Sequence, residues 1–240
     1  MIIEPCGDDC TEERALKFAG QLGAVEYQCA EIYSKWVATS IGYVLRKGDA
    51  YYDNLNLTIR KLYDEQKHGR LYFDAVIANG WVKNRRELYA HPYFQILPGW
   101  QMFTQWLAYT GNFHPAAMHA GDGAASEVGA GPALYDIGKS MEAFNRELAG
   151  AFISQKYEEI SHVKMAQYVI EKYDNQPEIQ FLSLWTSYHN LMALRCAGED
   201  MLIYMKGNVS PSEFWRRGSD AQEQSRAEDI VERLRRKRNS

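Results

Sequence analysis

The sequence predicts an all-α helical bundle, and three observations carry that prediction. Apolar residues recur at steps of three and four along several long segments, the period of one helix face, and no segment shows the strict alternation of a strand. Only 7 Pro interrupt 240 residues, which suits long helices. Glu65-Gln66-Lys67-His68 and Glu159-Ile160-Ser161-His162, 94 residues apart, each place a carboxylate and an imidazole on one helical face.

The length allows a substantial core in one domain. An apolar share of 46% and a charged share of 24% are ordinary for a globular chain. A net charge of −4 gives no reason to expect a nucleic-acid partner. No apolar run approaches the roughly 18 residues a membrane-spanning helix needs. Met1-Ile2-Ile3-Glu4-Pro5-Cys6 has neither the basic nor the apolar region of a secretory signal, so a cytoplasmic protein with reduced thiols at Cys6, Cys10, Cys29 and Cys196 is expected.

Taken in order, residues 1–10 read as a flexible lead-in, 11–218 as one helical domain and 219–240 as a charged tail. Thr11 caps a first helix with Glu12 and Glu13 in its first turn. Its stripe runs Leu16, Ala19, Leu22, Glu26, Cys29, Tyr33, Val37, Ile41, Val44, and Arg46-Lys47-Gly48-Asp49 ends it. Glu26 stands where a hydrophobe is expected; Glu31 lies off the stripe. A carboxylate on a core-facing stripe is costly unless paired or metal-bound. The second helix, about Tyr51 to Ala78, has the stripe Leu55, Leu62, Glu65, His68, Gly69, Tyr72, Val76, and Asn79-Gly80 closes it. Trp81 to Tyr89 reads as a short helix, His91-Pro92 and Leu97-Pro98-Gly99 as breaks, and Gln101 to Tyr109 as a further helix.

The stretch 116–138 is rich in Gly and contains Pro132, so its propensity is poor. It nevertheless carries Glu127 among small residues, as an irregular helix at a functional site does. Gly138-Lys139-Ser140 suggests a turn, or a helix that continues a few residues. A long helix from about Ala143 to Asp174 has the stripe Leu148, Phe152, Glu159, His162, Val163, Ala166, Ile170, Tyr173. A last long helix, Glu178 to Tyr204, is rich in apolar and aromatic residues, and its His189 has no acid at helical spacing. Ser210 to Glu213 resembles a capping box before a short helix bearing Phe214 and Trp215.

The candidate ligands are therefore Glu26, Glu65, His68, Glu127, Glu159 and His162. Four carboxylates and two imidazoles from four helical segments suit two iron ions, with manganese as the alternative. Such a centre reduces O2.

The surrounding residues extend the pattern. Glu26-Tyr27-Gln28-Cys29 and Tyr33-Ser34-Lys35 resemble the E-Y-Q-A and F-S-R stretch of phenol hydroxylase oxygenase subunits. Asp64-Glu65-Gln66-Lys67-His68-Gly69-Arg70-Leu71 resembles the D-E-L-R-H-x-Q helix of toluene and phenol monooxygenases, and Glu158-Glu159-Ile160-Ser161-His162 their second D-E-x-R-H. The helices after the site, through Ser212-Glu213-Phe214-Trp215, run parallel as well. Over residues 20–215 the chain thus resembles the large oxygenase subunit of the bacterial multicomponent monooxygenases. That resemblance implies a ferritin-like bundle with additional helices, and the six residues above as iron ligands. It selects Glu127 over Glu142, and it implies that Asp64 and Glu158 orient His162 and His68 across the site. It further implies O2-dependent hydroxylation or epoxidation of a small hydrophobic substrate, electrons from NAD(P)H through a separate reductase, a coupling protein and an oligomer. The chain departs from the family at Lys67 and Ser161, which stand for an Arg, at Glu158, which stands for an Asp, and at Gly131 and Pro132, which stand for a Thr-Asn pair. A ferroxidase or storage bundle, or a structural subunit of an oxygenase, are the alternatives.

Overall fold

A computed structural model describes residues 11–206, apart from 92–93, 144 and 174. The lead-in with Cys6 and Cys10, the short helix expected at Phe214-Trp215 and the expected charged tail lie outside the described residues. Eight α-helices are present among the described residues, with no strand: α1 (Glu12–Lys47), α2 (Tyr52–Ala78), α3 (Arg85–Ala90), α4 (Pro98–Thr110), α5 (Pro115–Asp122), α6 (Val128–Met141), α7 (Arg146–Lys172) and α8 (Pro177–Lys206). A π-helical turn, Gly123–Glu127, joins α5 to α6. None of these helices is long and apolar enough to cross a membrane.

Local chemistry sets the boundaries. The Thr11 hydroxyl accepts from the Arg14 amide, and Gly48 turns the chain after α1 at φ 84°, where a side chain is strained. A short 3-10 turn, Asp49–Tyr51, then feeds α2, which begins one residue later than the sequence suggests. Asn84 caps α3 through two amides, so that helix starts at Arg85 rather than Trp81. Pro98 opens α4 three residues ahead of Gln101, since proline suits a first helical turn. Asn145 accepts from the Leu148 amide and starts α7 at Arg146. The turn suggested at Gly138–Ser140 does not form; α6 continues to Met141, and Gly138 packs its bare face on Ile153 and the Ala149 carbonyl of α7.

α1 lies along α2, and α6 along α7; α2 faces α7, while α8 covers α4 and α5. One apolar cluster, with Leu22, Tyr72 and Phe152, fills one end of the bundle. Two others, with Tyr33, Trp36 and Met118 and with Val169 and Tyr173, fill the other. The Glu-x-x-His residues lie between those ends.

Three buried faces differ from the expected stripes. In α1 the buried line runs Tyr33, Trp36, Ser40, while Ile41 is exposed. The first half of α2 buries Asn54, Thr58 and Lys61 in place of Leu55 and Leu62. In α8, Ser183, Thr186, Asn190 and Ala193 face the bundle, and Phe181, Leu184, Tyr188 and Leu191 face outward. In α2 and α8 polar or small side chains with internal partners hold the inner face: Thr58 with His119, Thr186 with the Ala117 carbonyl, Asn190 with the Gly121 carbonyl.

Candidate metal centre

Each Glu-x-x-His spans one turn of its helix, so Glu65 and His68 on α2, and Glu159 and His162 on α7, project into the seam between those helices. Glu26 reaches in from α1, and Glu127 from the end of the π-helical turn. All six residues expected from the sequence come together, as two groups: Glu26, His68 and Glu159, and Glu65, Glu127 and His162. Within each group one donor atom per residue lies within 4.8 Å of the others.

Two of the carboxylates serve both groups. Glu65 presents Oε2 to His68 Nδ1 at 3.7 Å and Oε1 to His162 Nδ1 at 3.6 Å. Glu159 presents Oε1 to His68 Nδ1 at 3.4 Å and Oε2 to His162 Nδ1 at 3.3 Å. Glu26 lies 3.8 Å from His68 Nδ1 only, and Glu127 3.6 Å from His162 Nδ1 only. The result is near two-fold: a carboxylate at each end, two straddling the middle, and an imidazole for each half.

The outer nitrogens of the two rings meet carboxylates from the opposite helix. His68 Nε2 is 2.7 Å from Glu158 on α7, and His162 Nε2 is 3.2 Å from Asp64 on α2. Each carboxylate favours a proton on Nε2 and turns Nδ1 inward. Both Nδ1 atoms and Glu159 Oε2 are buried without a hydrogen-bond partner. Buried polar atoms are seldom left so, and here all three point into one space ringed by carboxylates. That donor set, nitrogen and oxygen with shared carboxylates, fits two first-row divalent ions. Lys67 pairs with Glu158 and Arg60 lies 3.9 Å from Asp64, so cations back both outer acids although Ser161 supplies none.

Protons and imidazolium charge take up the negative charge of the cluster. Burial, followed by the charge of Glu65, drives the Glu26 carboxyl well up; burial and Glu127 do the same for Glu159. Burial would also raise Glu65, but hydrogen bonds from Glu26 and His68 bring it down to about 2. Burial is likewise overcome at Glu127, which Lys61 and a bond to Glu159 hold well below the usual range. The acids thus behave as two proton-sharing pairs, Glu26–Glu65 and Glu127–Glu159. Burial opposes charge on the imidazoles, yet the surrounding carboxylates carry His162 up to about 12 and raise His68 also.

Sequence reasoning missed the groups beside Glu127. Lys61 is fully buried and ion-paired to Asp122 and, at 2.5 Å, to Glu127. The Tyr33 hydroxyl donates to the same Asp122 oxygen, and Ser126 donates to Asp122 Oδ1. Asp122 and Glu127 are five residues apart, a separation that puts them about 140° apart on an α-helix. A π-helical turn stacks residues five apart. The turn at Gly123–Glu127 therefore brings both acids to one ammonium. The available signals were Lys61 one turn before Glu65 and Asp122 inside the Gly-rich stretch.

His189 sits apart from this centre, among the rings of Trp106, Trp185 and Tyr188. No family model, curated protein or solved structure matches this chain.

Proposed function

We propose that the protein is a dinuclear-iron oxygenase that activates O2 and hydroxylates or epoxidises a small hydrophobic substrate. Manganese is the alternative metal. The observation that supports the reading is the pair of straddling carboxylates, Glu65 and Glu159, each offering one oxygen to each imidazole. The charges support it as well: four carboxylates balance two divalent ions, and Lys61, which bonds both Asp122 and Glu127, offsets the remaining charge of Asp122.

Two bound ions would supply the electrons and Lewis acidity that O2 reduction requires. The residues of the chain do the rest. His68 and His162 are held in one tautomer by Glu158 and Asp64. Glu65 and Glu159 fix the spacing between the halves. The apolar clusters at either end of the bundle keep bulk water from the centre. Lys61 bonds Glu127 Oε1, the same oxygen that faces His162, and makes the two ends unlike. In this reading electrons come from NAD(P)H through a separate reductase, with a coupling protein as in the multicomponent monooxygenases, and the protein works in the cytoplasm where NAD(P)H is supplied.

A second reading has one observation in its favour. The aromatic residues Phe181 and Tyr188 of α8, which would wall a substrate pocket if they were turned inward, face outward. A centre that oxidises iron or disposes of O2 without an organic substrate needs no such wall. Both readings are tested by metal analysis and by exposing the reduced protein to O2 with a panel of small aromatic and aliphatic compounds. Two irons per chain, an O2-dependent spectral change and an oxygenated product support the oxygenase. Metal turnover with no oxygenated product supports the second reading. Protein that takes up neither iron nor manganese overturns both.

A further inference from the structure

The two halves of the centre have matched donors and unmatched surroundings. Each half offers one terminal carboxylate, one imidazole and a share of Glu65 and Glu159. The outer bonds do not separate the halves, because each outer acid carries a cation of its own: Lys67 at Glu158 and Arg60 at Asp64. The terminal carboxylates do separate them. Glu127 Oε1, the oxygen that faces His162 Nδ1 at 3.6 Å, is also 2.5 Å from the Lys61 ammonium. Glu26 is ion-paired with His68, and with no lysine or arginine among the described residues.

The ammonium is fixed where it stands. Lys61 is 2% exposed, its Nζ is paired with Asp122 as well, and it lies over the Tyr33 ring at 5.1 Å. Asp122 is held in turn by the hydroxyls of Tyr33 and Ser126. A metal ion arriving at Glu127 therefore cannot push the lysine into water. It binds an oxygen already bonded to a positive charge, and that charge repels it across a buried distance of a few ångströms. Asp122 offsets part of the repulsion but leaves the bond to Oε1 in place. Access points the same way. The Glu26 side chain is 14% exposed, against 7% or less for the other five ligands, so an ion from solution meets the Glu26 half first.

We propose that Lys61 sets an order of loading in the centre. The half with Glu26 and His68 takes the first ion tightly, and the half with Glu127 and His162 takes the second weakly. The proposal rests on the dinuclear reading above. Two-metal chemistry then begins only once the weak half is filled, so Lys61 ties it to the supply of metal.

Titration of the metal-free full chain with Mn(II), followed by equilibrium dialysis and electron paramagnetic resonance, tests this order. The expected result is two steps about tenfold to a hundredfold apart, the worth of a charge-assisted hydrogen bond. The signal of an isolated Mn(II) should approach one per chain before coupling to a second ion broadens it. Glu26→Ala should abolish the tight step and Glu127→Ala the weak one. Lys61→Met combined with Asp122→Asn removes both charges of the pair and should merge the two steps, whereas Lys61→Arg should keep them apart. Asp122→Asn alone leaves the ammonium to Glu127 and should widen the gap; a gap that closes instead overturns the role of Lys61. Two ions bound equally tightly by the wild type overturn the proposal and leave the dinuclear reading standing. A double variant that keeps the wild-type spacing overturns the proposal in the same way. A chain that takes up neither Mn(II) nor Fe(II) overturns the dinuclear reading and the proposal with it.

Discussion

Glu65 and Glu159 stand in a different position from Glu26 and Glu127, because each of the first two faces both imidazoles and each of the others only one. On the dinuclear reading, Glu65→Ala should remove both ions, whereas Glu26→Ala should leave about half the metal content, measured as metal per chain. Lys61 gives a different prediction. It is the cation between Asp122 and Glu127, so Lys61→Met leaves buried carboxylates uncompensated and should cost about 3–5 kcal/mol in urea unfolding. The histidines away from the centre predict a pH dependence. Burial holds His119 down at about 3, helped by the charges of Lys61 and His162, and burial alone holds His114 at about 4. An unfolded histidine titrates near 6.5, so below that pH the unfolded chain binds protons that the folded chain refuses. Stability should therefore fall as pH drops below about 6.5, by up to about 1.4 kcal/mol per pH unit for each histidine, until the folded group itself titrates. His119→Gln should make that dependence shallower than in the wild type, measured by urea unfolding at a series of pH values.

Among the elements, the long helices are set by features that a sequence displays openly. Caps such as Thr11 and Asn145 and the prolines at 98, 115 and 177 mark where helices begin. Asn145→Ala should cost about 1 kcal/mol in thermal or urea unfolding, through the lost bond to the Leu148 amide. Gly69 reports how closely α1 and α2 approach: a Cβ there comes within 3.1 Å of the Tyr27 backbone nitrogen. Gly69→Ala should force the helices apart at a cost of about 1–3 kcal/mol and weaken binding at the half that contains Glu26. Five of the six candidate ligands were legible because acids and imidazoles interrupted apolar stripes at helical spacing; Glu127, in a Gly-rich stretch, was chosen over Glu142 through the family resemblance. Asn54, Thr58 and Lys61 were not, because an inner face made of polar residues looks like a solvent face until its partners are known. The outward turn of Phe181 and Leu184 escaped for the converse reason: hydrophobicity says that a residue seeks cover, not whose cover it finds.

At the scale of the whole chain, the bundle burdens itself with four acids and two imidazoles between its apolar ends. Cations that bind only the folded state relieve that burden. A metal at a hundredfold its dissociation constant should add about 2.7 kcal/mol per independent site. Chelation should accordingly lower the melting temperature, and the shift should vanish in a Glu65→Ala, Glu159→Ala double variant, read by scanning calorimetry. The all-α class was legible from the 3.6 period alone. The pairing of helices was legible only for α2 with α7, where the family resemblance already implies His68 with Glu158 and His162 with Asp64; the packing of α8 on α4 and α5 had no such signal.

The turn at Gly123–Glu127 has a genetic consequence. A π-helical turn is an α-helix with one residue inserted, and removing that residue lets the segment close as ordinary helix. Deleting Ala125 would leave Asp122 and Glu127 four positions apart, about 40° around that ordinary helix. Both acids would then still face Lys61, as they do across the wider turn. The extra codon is thus dispensable to the asymmetry between the two ends, and in-frame loss of that codon should yield a protein that keeps its helices and its metal content at the half containing Glu127, measured as metal per chain.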